Sequence, residues 1–280
     1  MKLSFVDALG SAFDSLRCFR WREYAPFFWM LAIEGVCLAL TTQLQHSWAM
    51  TVIAPIAKAA GGEDNLHYPP FFAYLPILLG WVEGVIYSVL GCVLIPLSLL
   101  RLYSRTDRAL SLGAGVAGRL AGAVIPTLLA TLAGLGAIWG WQRHWAPAVS
   151  KWIAEHSTGS TGVFLGWMAT TVGSYAIIML LLYVPIAAVQ YRTNPVRAVF
   201  RGLRFGIRAW IPTILFGLFF GIPSLLVQYL LEKQGGHLIS RVSPEIVVVF
   251  LALYVTFSSV ATYLTYSAGA RFYTISRGDE

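Results

Sequence analysis

The sequence predicts an all-α polytopic membrane protein, with six transmembrane helices and cytoplasmic amphipathic helices lying at the interface. Three observations predict it. The chain has more apolar residues than a soluble core can hold. It contains six long apolar runs. Its basic residues fall three to one on alternate connections.

The apolar surplus excludes most soluble classes. Of 280 residues, 57% are hydrophobic and 12% are charged, and ten are Trp. An ordinary soluble domain carries about 25% charged residues. A water-facing surface must be covered with polar groups, whereas a surface facing hydrocarbon need not be.

A spanning helix needs about 20 mostly apolar residues. The segments Tyr24–Leu44, Phe72–Leu99, Ala121–Trp141, Gly162–Ala188, Trp210–Leu231 and Ile246–Ala270 meet that requirement. The first 23 residues hold Asp7, Asp14 and Glu23 and no unbroken apolar run. The first span itself is therefore expected to act as the targeting signal.

Basic residues orient the chain. Lys2, Arg17, Arg20 and Arg22 precede the first span, and Arg101, Arg105, Arg108 and Arg119 separate the second from the third. Arg192, Arg197, Arg201, Arg204 and Arg208 separate the fourth from the fifth, and Arg271 and Arg277 follow the sixth. These fifteen face five on the other side: Lys58, Arg143, Lys151, Lys233 and Arg241. Positive charge stays in the cytoplasm, so both termini are expected there, in a bacterial inner membrane. The net charge of +7 is thus a topology signal and implies no nucleic-acid partner.

The outer side carries the aromatic belt. Trp48, Trp139, Trp141, Trp145 and Trp152 cluster there, with His46, His67, His144, His156 and His237 spread over its loops. The longest outer loop, Gln45–Pro70, contains a stretch, Ser47–Ala60, suited to lying along the membrane surface. No two histidines stand three or four apart, so no metal site is expected. Cys18, Cys37 and Cys92 read as small apolar side chains rather than a disulfide or ligand set. No cofactor motif, nucleophile elbow or metalloprotease motif is present, and no catalytic activity is expected.

A threefold repeat is expected, with boundaries near 1–100, 101–190 and 191–280. Each copy would be a basic surface segment followed by a helical hairpin, with Pro26, Pro126 or Pro212 opening the outgoing span. Ile125-Pro126-Thr127 and Ile211-Pro212-Thr213 match closely, each preceded by an Arg-Thr pair. Chance matching in an apolar chain is the alternative.

Two constellations carry functional expectations. Arg197, Arg201, Arg204 and Arg208 are spaced four, three and four, which places them on one helix face. Arg101, Arg105 and Arg108 form a shorter version. Such a face binds membrane phospholipids or an acidic membrane-protein subunit, or simply anchors the chain. The second is a pair of intramembrane acids, Glu34 and Glu83, near mid-bilayer on consecutive spans. No Lys or Arg lies deep in another span to neutralise them. They would share a proton in a small proton-coupled transporter or channel, or stay as separate neutral acids bonded to Tyr87 or Ser88. Hydroxyls of the last span (Thr256, Ser259, Tyr263, Tyr266) read as interhelical glue. The pairs Gly80/Gly84, Gly136/Gly140 and Gly217/Gly221 read as close-packing positions.

The stretch from Tyr183 to Leu215 runs Tyr-Val-Pro-Ile-Ala-Ala-Val-Gln, then Asn194-Pro195, then the basic helix Ala198 to Arg208 and the fifth span. This resembles a broad group of bacterial six-helix membrane proteins, mostly of unknown function. The group includes the membrane domain fused to some glycerophosphodiester phosphodiesterases. Members commonly carry Ser where this chain has Arg201-Gly202, and no segment here is long enough for the phosphodiesterase domain. The resemblance implies a membrane module and carries over no catalytic residue; separately, a non-enzymatic lipid- or partner-binding protein, such as an accessory or assembly subunit of a larger complex, is the expected role.

Overall fold

Lipid offers backbone amides no hydrogen-bond partners, so a chain this apolar satisfies them along its own helices. The computed structural model describes residues 2–17, 21–42, 55, 70–106, 115–157, 159–190, 195–241 and 243–278. Among the described residues there is no strand. Cys18, nearly all of the Gln45–Pro70 loop with His46, His67 and Trp48, and the segment 191–194 lie outside them.

The helices are α1 (Lys2–Arg17), α2 (Trp21–Thr42), α3 (Pro70–Val89), α4 (Gly91–Thr106), α5 (Gly115–Gly140), α6 (Ala146–His156), α7 (Gly159–Leu181), α8 (Tyr183–Gln190), α9 (Pro195–Arg208), α10 (Trp210–Arg241) and α11 (Ile246–Gly278). Five stretches are long and apolar enough to cross a membrane: Glu23–Leu40, Ala117–His156, Thr161–Gln190, Trp210–Leu231 and Ile246–Ser276. The pair α3–α4, broken at Leu90, makes a sixth if it crosses as one span. The chain is a polytopic helical membrane protein.

Three departures from the expected spans have local causes. The expected second span breaks at Leu90, next to Gly91 and ahead of Pro96, whose ring removes a backbone donor. The Cys92 thiol donates to the Val89 carbonyl at the break, 3.1 Å away. The fourth breaks at Leu182, three residues before Pro185. The third does not end near Trp141. It continues through a π-turn, Trp141–Trp145, into α6. Pro147 has no N–H to give to the carbonyl of residue 143, and the wider turn lets the helix pass it. His144 and His156 therefore sit on helix rather than in a loop.

Packing divides the chain into two units. Unit 1 comprises Met1–Pro26, Ser88–Phe220 and Tyr263–Glu280, and unit 2 comprises Phe27–Tyr87 and Gly221–Thr262. This division is independent of the repeat boundaries 1–100, 101–190 and 191–280.

The centre of unit 1 is α8, buried from Tyr183 to Val189. Lipid tails are as apolar as leucine, so helices here associate through close packing and hydrogen bonds. Helices α4, α5 and α9 all pack on α8. Ser98 donates to the Glu23 carbonyl at 2.7 Å, and Tyr103 to the Ala270 carbonyl at 3.1 Å. The α1 face bearing Ala8 and Ala12 is fully buried, and its Phe5 ring stacks on Phe216. The Trp141 indole donates to the Thr170 carbonyl at 3.1 Å, its ring seated over Gly173.

Both Ile-Pro-Thr triplets hold the same local position. Ile125 and Ile211 are exposed, and Thr127 and Thr213 are buried. Each threonine hydroxyl bonds the carbonyl four residues back, at 2.7 and 2.6 Å.

Unit 2 has its own apolar core, with Leu38, Leu75, Leu79, Val227, Val247 and Leu251 among its buried residues. Ser259 donates to the Phe27 carbonyl at 3.3 Å, as interhelical glue would. The glycine pairs fare unevenly. Gly80, Gly136 and Gly140 face open space, while Gly217 packs against the Met179 side chain.

Candidate functional site: a three-faced basic helix and a buried acid pair

Pro195 starts α9, where its missing N–H is no loss. One residue, Ala209, separates α9 from α10, and the amide ladder runs on through it. The Ala209 N–H reaches the Phe205 carbonyl at 2.8 Å, and the Thr213 N–H reaches the Ala209 carbonyl at 3.1 Å. No slack loop joins the two helices.

Three kinds of residue divide the circumference of α9. Arg197, Arg201, Arg204 and Arg208 are all exposed and share one face. Val196, Phe200 and Ile207 form a second face, also exposed, with Phe200 at 68%. Ala198, Gly202 and Gly206 form the third, which is buried.

That third face sets the helix against the bundle. A Cβ on Gly202 would stand 2.6 Å from the Cα of Val184, and one on Gly206 would stand 2.2 Å from the carbonyl oxygen of Leu180. Backbone meets backbone at both points, so only glycine fits. Phe205 adds edge-on ring contacts to Tyr183 and Tyr273 at 4.7 and 4.6 Å. The Tyr183 hydroxyl bonds the Thr213 hydroxyl at 3.0 Å. The rotation of α9 about its axis is thus fixed, and so is the direction its arginines face.

The neighbouring arginines repel. Like charges three or four residues apart on a helix cost about 0.2–0.5 kcal/mol per pair. An anion on this face would offset that cost. Arg101 does not repeat the arrangement: it is half-buried in α4. Arg105 belongs to the same helix, and Arg108 lies outside the described residues.

The acid pair lies in unit 2. Glu34 on α2 is 2% exposed, and Glu83 on α3 is half-buried. Leu38, one turn beyond Glu34, and Leu79, one turn before Glu83, are buried in the same core cluster, so both acids project from the faces by which α2 and α3 pack. Oε1 of each is covered and has no hydrogen-bond partner among the described residues. The Tyr254 hydroxyl of α11 donates to Oε2 of Glu83 at 3.4 Å, so the hydroxyl seen at the pair is not that of Tyr87 or Ser88.

Comparison with known protein families, curated proteins and solved structures finds no match. The site is therefore read from its own chemistry. Among the described residues no three His, Cys, Asp or Glu side chains gather as a metal site would require. His156 stacks on Trp152 at 4.6 Å and bonds its carbonyl through Nδ1.

The sequence picked out the four arginines and the two acids. It did not pick out Gly202, Gly206 or Tyr254. Gly202 and Gly206 stand four apart, the same small-residue spacing noted elsewhere, but the spacing alone does not say which pairs meet a neighbour.

Proposed function

We propose that this chain is a non-enzymatic integral membrane protein that binds anionic phospholipid headgroups through the arginine face of α9. One observation carries the reading: the four arginines adjoin an exposed apolar face, while glycines clamp the remaining face to the bundle. A helix so divided lies at a membrane interface, with Val196, Phe200 and Ile207 toward the acyl boundary and the guanidiniums at phosphate level. Each arginine there contributes about 1 kcal/mol toward an anionic leaflet. Guanidinium also pairs with phosphate through two parallel hydrogen bonds.

The fifteen-to-five distribution of basic residues supports a bacterial cytoplasmic membrane with both termini inside. An accessory or assembly role beside other subunits follows if the arginine face meets an acidic membrane-protein partner instead of lipid.

The test is native mass spectrometry of the full chain released from nanodiscs of mixed zwitterionic and anionic lipid. Wild type is expected to retain anionic lipid selectively. Replacing Arg197, Arg201, Arg204 and Arg208 by Gln is expected to abolish that selectivity. Unchanged retention would sink the lipid reading. Loss of a co-purifying acidic subunit, with lipid retention intact, would move the face to protein recognition.

A further inference from the structure

We propose that Glu34 and Glu83 hold a single exchangeable proton between them, forming a proton-binding site in unit 2 that is separate from the arginine face. Three helices build it: α2 supplies Glu34, α3 supplies Glu83, and α11 supplies the Tyr254 hydroxyl.

The argument begins with burial. Glu34 is 2% exposed, and its covered Oε1 meets no donor among the described residues. An ionised carboxylate held that way would bear the full cost of lost solvation, which proteins avoid by neutralising the group. Oε1 of Glu83 is in the same position. The other titratable side chains described on the segments of this unit are Cys37, Tyr87, Tyr229, Tyr254 and Glu245, none of them positively charged, while those of Lys58, Lys233, His237 and Arg241 lie outside the described ones. Among the described side chains no positive charge stands beside the pair, so a bound cation, the proton first among them, is the counter-charge we assign.

The two acids differ in what they receive. Tyr254 donates to Glu83, which suits an ionised acceptor. Glu34 receives no such bond among the described residues, which suits the protonated form. One proton on Glu34, donated as a hydrogen bond toward Glu83, leaves a pair with one negative charge that Tyr254 stabilises. A hard metal cation is the poorer ligand, because it takes six or more oxygens and two carboxyls with one phenol supply too few. Two carboxyls sharing one proton make a site that loads and releases protons, as proton-coupled membrane proteins require.

Infrared spectroscopy of the full chain in lipid at neutral pH tests this through the carbonyl band of protonated carboxyl groups. Wild type, Glu34→Gln and Glu83→Gln are compared with the double variant. A shared proton predicts the same band area in wild type and in each single variant, and its loss in the double variant. Glu34→Asp, a conservative change, is expected to keep the band, and size-exclusion profiles establish that each variant is folded. Two independent neutral acids would instead halve the band in each single variant, which overturns the proposal. So would a wild type with no band, or a band that sodium bleaches at fixed pH, the sign of a metal cation in the site.

Discussion

Two glycines in this chain make opposite predictions. Gly206 meets the Leu180 carbonyl so closely that an added Cβ would stand 2.2 Å from it, with backbone on both sides. Neither side can yield without moving a helix. Gly206→Ala is expected to cost about 1–3 kcal/mol, as overpacking does. It should lower the thermal midpoint of the detergent-solubilised protein by several degrees. Gly10 on α1 is also helical, but a Cβ there meets nothing within 4 Å. Gly10→Ala should therefore stabilise, by about 0.5–1 kcal/mol, because glycine gives up the most freedom on entering a helix. If Gly206→Ala left the midpoint unchanged or raised it, the close contact of α9 with α7 would be refuted. From sequence alone the two positions look alike: each is a glycine in an amphipathic helix. What separates them is the neighbour, and that is a tertiary fact.

At the level of elements, hydropathy made most spans legible. The limits Trp210–Leu231 agree outright, and Glu23–Leu40 falls within a few residues of the expected Tyr24–Leu44. Apolar length is a local property and reads directly from the chain. The breaks at Leu90 and Leu182 and the π-turn at Trp141 were not legible as breaks. Pro96, Pro185 and Pro147 were visible, but a proline in a span kinks, breaks or passes according to what re-satisfies the freed carbonyl. The arginine stripe on α9 was legible because helical spacing reveals a face. Which of the other two faces turns inward was not, since glycine and phenylalanine both suit a helix in lipid. That orientation makes a prediction of its own. If Phe200 meets acyl chains, Phe200→Asp should speed hydrogen–deuterium exchange along α9 in nanodiscs, while Phe200→Leu leaves it unchanged. Equal exchange in both variants would place the apolar face elsewhere.

For the whole molecule, the proposed orientation separates the two ends of unit 1. In a chain with Cys18, Cys37 and Cys92 replaced, a single cysteine at Arg201 is expected to react with an impermeant maleimide only after cells are opened. One at Glu155 should react in intact cells. The reverse pattern would invert the topology. The length of the helical run Ala117–His156 then has a consequence of its own. Forty residues at 1.5 Å each extend about 60 Å, and the hydrocarbon layer is about 30 Å thick. The π-turn at Trp141 makes this excess possible by carrying the helix past a proline that would otherwise have ended it. In the proposed orientation the surplus extends beyond the hydrocarbon on the outer side, packed along α7, with Trp145 and Trp152 exposed. Any neighbour in the same membrane must leave it headroom or meet it side-on.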